Sequence, residues 1–155
     1  MALQSQVNRL ISPAVAGDKA TPDQSIYTPL NYVADASGVA CGSFCWAGSV
    51  AGTVSSTTSG TSTPLGFVER VVNAPNFDPL DDGTLVIPSG YPLTVAVKGD
   101  YWVKAADSVI AGATVYVDKT NGNIYGSTGA NNIAATGWTF KTAASAGDMV
   151  IISNW

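Results

Sequence analysis

From Leu65 to the C-terminus, short apolar runs of four to eight residues alternate with clusters of Gly, Pro, Asn, Asp and Ser. That rhythm predicts an all-β domain, with a strand in each run and a turn in each cluster. The runs expected as strands are Phe67–Val72, Thr84–Ile87, Leu93–Lys98, Tyr101–Ala105, Thr114–Asp118, Asn123–Ser127, Gly137–Thr142 and Asp148–Ser153. Two connections carry sharp turn chemistry. Asn121-Gly122 fits a type I′ hairpin turn, which needs positive φ at both central residues, and Gly99-Asp100 fits type II′, with Gly first. A two-residue loop at Asn121-Gly122 puts Val115, Val117 and Ile124 on one face, and Tyr116 and Tyr125 on the other. The Gly99-Asp100 hairpin is less clean, because Trp102 and Lys104 would share a face with Leu93, Val95 and Val97. Either both faces of that sheet are covered or a bulge shifts the register.

Upstream the pattern is different. Residues 1–36 read as an extended N-terminal arm preceding a β domain at 37–155. Leu3, Val7 and Leu10 have the spacing of one short amphipathic helix. Pro13, Pro22, Pro29 and the polar run Gly17-Asp18-Lys19-Ala20-Thr21 then favour extended chain. A purely solvated tail would not carry Ile26, Tyr27, Leu30, Tyr32 and Val33, so the arm is expected to lie along a neighbouring subunit. Within the β domain, ten of the fifteen residues from Ser49 to Thr63 are Ser or Thr. This composition predicts a solvated surface loop at 49–63.

Composition narrows the partners. Of 155 residues, 46% are apolar and only 12% charged, with 14 aromatics and a net charge of −4. Soluble domains usually carry about 25% charged residues, so Ser and Thr take over much of the solvation here. Five lysines and two arginines lie scattered singly between Arg9 and Lys141. Nucleic acid and anionic membranes are poor partners for such a chain, since phosphate binding needs clustered cations. Ten aspartates stand against one glutamate, Glu69, and that bias favours turns over helices. No segment reaches the ~20 apolar residues of a membrane span. The start, Met1-Ala2-Leu3-Gln4-Ser5-Gln6, lacks a signal peptide's apolar core, and the expectation is synthesis in a reducing cytoplasm.

Candidate chemistry is sparse. There is no histidine, which removes the commonest general base, the usual partner of a Ser or Cys nucleophile, and the most frequent metal ligand. Cys41 and Cys45 form a CxxxC pair, but two thiolates make only half a zinc site. On a strand they would lie ~13 Å apart, beyond disulfide reach. They are expected as small packing residues and free thiols, with an intermolecular disulfide or redox chemistry as lesser alternatives. Asp78, Asp81 and Asp82 fit a Pro/Asp/Gly turn and match neither an EF-hand nor an aspartic protease signature. Lys98-Gly99-Asp100 resembles an adhesion tripeptide and is read as a turn. Catalytic, cofactor and metal sites are all expected to be absent.

One resemblance gives these observations a context. Five blocks occur in order: Gly42-Ser-Phe44-Cys-Trp46-Ala47, Gly66-Phe67-Val68-Glu-Arg70, Ile87-Pro88-Ser-Gly90-Tyr-Pro92-Leu-Thr94, Gly99-Asp100-Tyr-Trp102-Val103-Lys104 and Gly112-Ala-Thr-Val115-Tyr116. Together they resemble the structural cement, or head decoration, proteins of tailed bacteriophages. Relatives usually carry a small residue such as Ala where Cys45 stands, which supports the packing reading of that thiol. The resemblance implies a non-enzymatic virion protein, made in the host bacterial cytoplasm, that binds the outside of the head and stabilises the major capsid protein shell, commonly as a homotrimer. The expected fold is mainly β, a compact antiparallel β-barrel or sandwich of β-tulip-like form with the extended arm. Contact candidates are Ile26, Tyr27, Leu30 and Tyr32 in the arm; Phe44, Trp46, Phe67 and Trp102 are contact or core, with core favoured. The alternative function is a receptor- or glycan-binding module, or a tail or baseplate component, of a virion.

Overall fold

The computed structural model describes residues 14–71 and 85–155. Among these there is no helix; the chain runs through fourteen short strands. They are β1 (Ile26–Tyr27), β2 (Tyr32–Ala34), β3 (Val39–Ala40), β4 (Phe44–Ala47), β5 (Thr53–Ser55), β6 (Gly66–Val68) and β7 (Val86–Ile87). After them come β8 (Pro92–Leu93), β9 (Val95–Lys98), β10 (Asp100–Lys104), β11 (Thr114–Asp118), β12 (Ile124–Tyr125), β13 (Asn132–Phe140) and β14 (Met149–Ser153). A seven-stranded sheet has the order β1-β9-β6-β4-β5-β2-β8, and a five-stranded sheet the order β10-β14-β13-β11-β12. β3 and β7 pair separately. All pairings are antiparallel except β2 with β5. No sheet closes on itself, so of the two expected architectures the sandwich is the one formed.

Period-two alternation explains how the layers stack. On β4, Phe44 and Trp46 point into the core shared with the five-stranded sheet, where they meet Tyr101, Val103, Trp138, Phe140 and Ile152. Cys45, between them, points the other way, into a second core with Ala34, Val39, Val54, Val68, Ile87 and Val95. The central sheet is thus covered on both faces, and β4 and β6 are apolar without alternation. In the first core, Phe44 meets Phe67 edge-on at 5.4 Å and Trp138 at 5.4 Å, and Phe67 lies 4.8 Å from Tyr101. Such aromatic pairs add about 0.5–1.5 kcal/mol each beyond burial. The indole N–H of Trp46 donates to the Ser62 carbonyl at 3.0 Å, so its one polar group is satisfied.

Several expectations need correction. Lys98-Gly99-Asp100 is not a hairpin tip. β9 pairs with β1 and β6, whereas β10 pairs with β14, so the chain turns a corner at Gly99 and changes sheets. Gly99 has φ +143, and a Cβ there would lie 2.8 Å from both Ser25 Oγ and Tyr101 Cε2. This removes the facing conflict of Trp102 and Lys104, since β10 never pairs with β9. At the other turn, the hairpin forms with a four-residue loop, closed by Asp118 N–H donating to Asn123 O at 2.9 Å. Only Gly122 has positive φ, so the turn is not type I′. Register moves by two residues, Val117 facing Ile124. An even shift preserves the faces: Val115, Val117 and Ile124 are buried, while Tyr116 and Tyr125 are half-buried.

The segment expected as an arm is, from residue 14 to residue 36, built into the body. It supplies β1 and β2, and β2 lies between β5 and β8. Its start is pinned where two glycines cross. A Cβ on Gly42 would sit 2.7 Å from the carbonyl carbon of Ala16, and one on Gly17 3.0 Å from the Gly42 nitrogen. The Ser/Thr-rich stretch also corrects the expectation of an uninterrupted loop, because Thr53–Ser55 form β5 with Val54 fully buried. The Leu3/Val7/Leu10 helix, the Asp78/Asp81/Asp82 turn, and the ends of the runs at Val72 and Thr84 lie outside the described residues.

Candidate interaction surface

Burial sorts the eight candidate contact residues into three groups. Phe44 and Phe67 are fully buried and Trp46 is 2% exposed. These three form the first core and correct the contact reading, since no partner reaches them while the sheets stay packed. Tyr32 and Trp102 are half-buried. Tyr32 packs against the second core. Trp102 lies on β10, where its N–H donates to Asp18 O at 2.9 Å and its carbonyl accepts from Gly17 N–H at 2.8 Å. Ile26 at 46%, Tyr27 at 39% and Leu30 at 61% exposure remain open to solvent on and just after β1.

Two features the sequence did not flag join that surface. Ile26 faces Lys98 across the β1–β9 pair, so their side chains share a face. The Lys98 ammonium in turn lies 5.7 Å from the ring of Trp155, which is 61% exposed. The only available signal was an aromatic at the chain's last position, without periodicity to place it. On Tyr27 a second cation is stacked, Lys19 Nζ at 5.5 Å from the ring centroid. Hydrogen bonding to Tyr27 holds Lys19 above the usual lysine pKa against a smaller opposing effect of burial, and Glu69 adds to the rise.

Beneath this surface a polar network ties residues 17–21 to the body. Arg70 Nη1 meets Asp18 Oδ1 at 2.9 Å, and Lys19 Nζ lies 3.9 Å from Glu69 Oε1. Tyr101, fully buried, donates its hydroxyl to Glu69 Oε2 at 3.2 Å. Burial raises its pKa, which keeps that donor protonated. Thr21 Oγ1 donates to Asp100 Oδ2 at 3.1 Å. Apart from Asp100 Oδ1, which is buried without a hydrogen-bond partner, these groups are paired with each other. Both cysteines are free. Burial pushes the Cys45 thiol up to about 12 and raises that of Cys41, so neither has the thiolate character of a nucleophile or metal ligand. Among the described residues no three His, Cys, Asp or Glu side chains gather as a metal site, and no helix is long and apolar enough to cross a membrane.

Residues 3–154 match the family model described as structural cement protein, named for E217 gp24 and Pam3 gp6. The chain belongs to this family. As a structural cement protein it is a phage virion component with a structural role, stabilising the capsid shell. A chain in the solved capsid of Myoviridae phage XM1 is similar over 99% of this cement protein and 97% of its own length, with TM-score 0.72 and 18% identity. At that identity the two share a fold. Comparison with curated proteins finds no match.

Proposed function

We propose that this cement protein binds the outer surface of the phage head as a homotrimer, with the major capsid protein as its partner and no nucleic acid or membrane involved. The observation that carries this reading is the pairing of a cement-family chain with a rigid, doubly packed sandwich that leaves apolar residues exposed at Ile26, Tyr27 and Leu30. Burying such groups against several shell subunits contributes roughly 25 cal/mol per Å², less the cost of ordering. Threefold repetition turns modest contacts into avidity. The lack of histidine argues against a catalytic role, and the chain's low charge suits an interface, where Lys and Glu are depleted. The protein is made in the host cytoplasm and acts on the exterior of the assembled shell.

Purified protein added to empty expanded heads is expected to bind at a saturating, symmetry-linked stoichiometry and to raise their melting temperature. Sedimentation of the free protein should give three times the mass of one 15.8 kDa chain. Protein that ignores heads but binds host cells or glycans would instead be a receptor module, and the cement reading of this chain would fail.

A further inference from the structure

The two large sheets have four edges, and an unpaired edge is a template for any passing extended chain. Three of the four are closed, each by a different device. β10 is covered by residues 17–20: Gly17 N–H donates to Trp102 O, Trp102 N–H to Asp18 O, and Ala20 N–H to Asp100 O. β12 is flanked by Ala105 and Ala106, the latter donating its N–H to Ile124 O at 2.8 Å. β8 begins with Pro92, which has no N–H to offer. The fourth edge, β1, has one hydrogen-bonded neighbour, β9, and none on its outer side among the described residues. It is only two residues long, with a register irregularity between Ile26 and Tyr27, but it has no guarding proline or covering segment among the described residues and presents both side chains to solvent.

The charge at that edge selects the occupant. The chain is acidic overall, at −4, yet the described cations beside β1 are Lys98 and Lys19, each against an aromatic ring. Lys19 has Glu69 as its acid partner at 3.9 Å. Among the described residues Lys98 has no acid within salt-bridge distance, and it is exposed beside Ile26. Two copies paired through β1 would bring these lysines toward each other, which disfavours self-association across this edge. We infer that β1 is an acceptor edge onto which an extended segment of the shell protein, apolar with an acidic residue placed against Lys98, adds as an eighth strand. Main-chain hydrogen bonds would supply affinity, and Ile26, Tyr27, Trp155 and Lys98 the side-chain selection. This rests on the capsid-binding reading above and names the contact by which it would be made.

The test uses full-length protein and empty expanded heads. A photo-crosslinking residue in place of Ile26 should capture the shell protein, and the amides of residues 24–30 should exchange at least tenfold more slowly on heads than free. Lys98→Glu should weaken head binding at least tenfold with an unchanged melting temperature. Lys141→Glu, the same charge change at an exposed site elsewhere, should not. Cross-links confined to copies of this chain, unprotected amides, or equal loss from Lys98→Glu and Lys141→Glu would each overturn the edge while leaving head binding intact. If unaltered protein does not bind heads at all, the capsid-binding reading falls first and the edge assignment falls with it.

Discussion

The centre and the rim of the seven-stranded sheet carry the same kinds of side chain and put them to opposite uses. At the centre, β4 and β6 hold Phe44, Trp46 and Phe67 between two packed layers, with nothing larger than a few percent left to water. At the rim, β1 holds Ile26 and Tyr27 with nearly half of each exposed. Neither hydrophobicity nor strand propensity separates them; the number of neighbouring strands and layers does. A central residue reports on folding, and a rim residue on what the folded protein can touch.

Breaking the centre should have the largest effect. Phe67→Ala removes a ring that contacts Phe44, Tyr101 and Trp138, and a Phe→Ala cavity in a core costs about 3–5 kcal/mol. For a domain of this size that lowers the melting temperature by roughly 10 °C, measurable by calorimetry. Comparable stability of this variant and the parent would mean the aromatic cluster is loosely packed.

The next effect is smaller and depends on pH. Cys45 shifts from an ordinary 9.0 up to about 12 because burial opposes the thiolate. Between those values the unfolded chain has released its proton and the folded chain still holds it, so raising pH favours unfolding. Stability from this group is fully present below about pH 9 and is lost as pH climbs toward about 12, at about 1.4 kcal/mol per unit. Urea midpoints measured from pH 8 to 11 should fall, and Cys45→Ala should flatten the first part of that fall. An unchanged slope in the variant would assign the alkaline loss to Tyr101 and other groups.

At the rim the expected effect on stability is least. Ile26→Thr keeps a β-branched strand former on an exposed edge, so it should change unfolding free energy by about 0.5 kcal/mol or less. A loss of several kcal/mol in urea melts would show that β1 belongs energetically to the core, and the contrast between centre and rim would collapse.

What could be read before folding follows the same division. β11 and β14 were legible, because their apolar positions alternate; β13 was expected only from Gly137 but begins at Asn132, because its burial does not alternate and its register shifts along β11. Even the misjudged turn at Asn121-Gly122 preserved its faces, since slipping by two residues returns each side chain to its own side. Between Ile26 and Ser55 five strands of two to four residues escaped notice. β4 lacks alternation because both its faces are covered, and β5 hides in Ser/Thr-rich sequence where nothing distinguishes the buried Val54 from the exposed Val50. At Gly99-Asp100 local turn chemistry was right about a sharp bend and wrong about its purpose, because only tertiary pairing decides whether two strands meeting at a corner share a sheet. The exposed rim was half visible: Ile26, Tyr27 and Leu30 stood out as apolar residues among prolines, whereas Lys98 and Trp155 reach the same place from distant parts of the chain.

The strand order also sets a timetable. β1 cannot pair until β9 exists, and Ile26 waits for Lys98. β2 is flanked by β5 and β8, and Gly17 is held by Arg70 and Trp102. Almost every partner of the first-made segment is synthesised long after it, so folding is governed by closing large loops and belongs to the millisecond-to-second class of non-local β proteins. During synthesis β5 can pair with β2 and β4 as soon as it emerges, but β1 waits for β9, so the open rim is exposed longest. The same wiring works in reverse once the molecule is complete: releasing a central strand such as β4 or β6 means parting layers stitched from both halves of the chain.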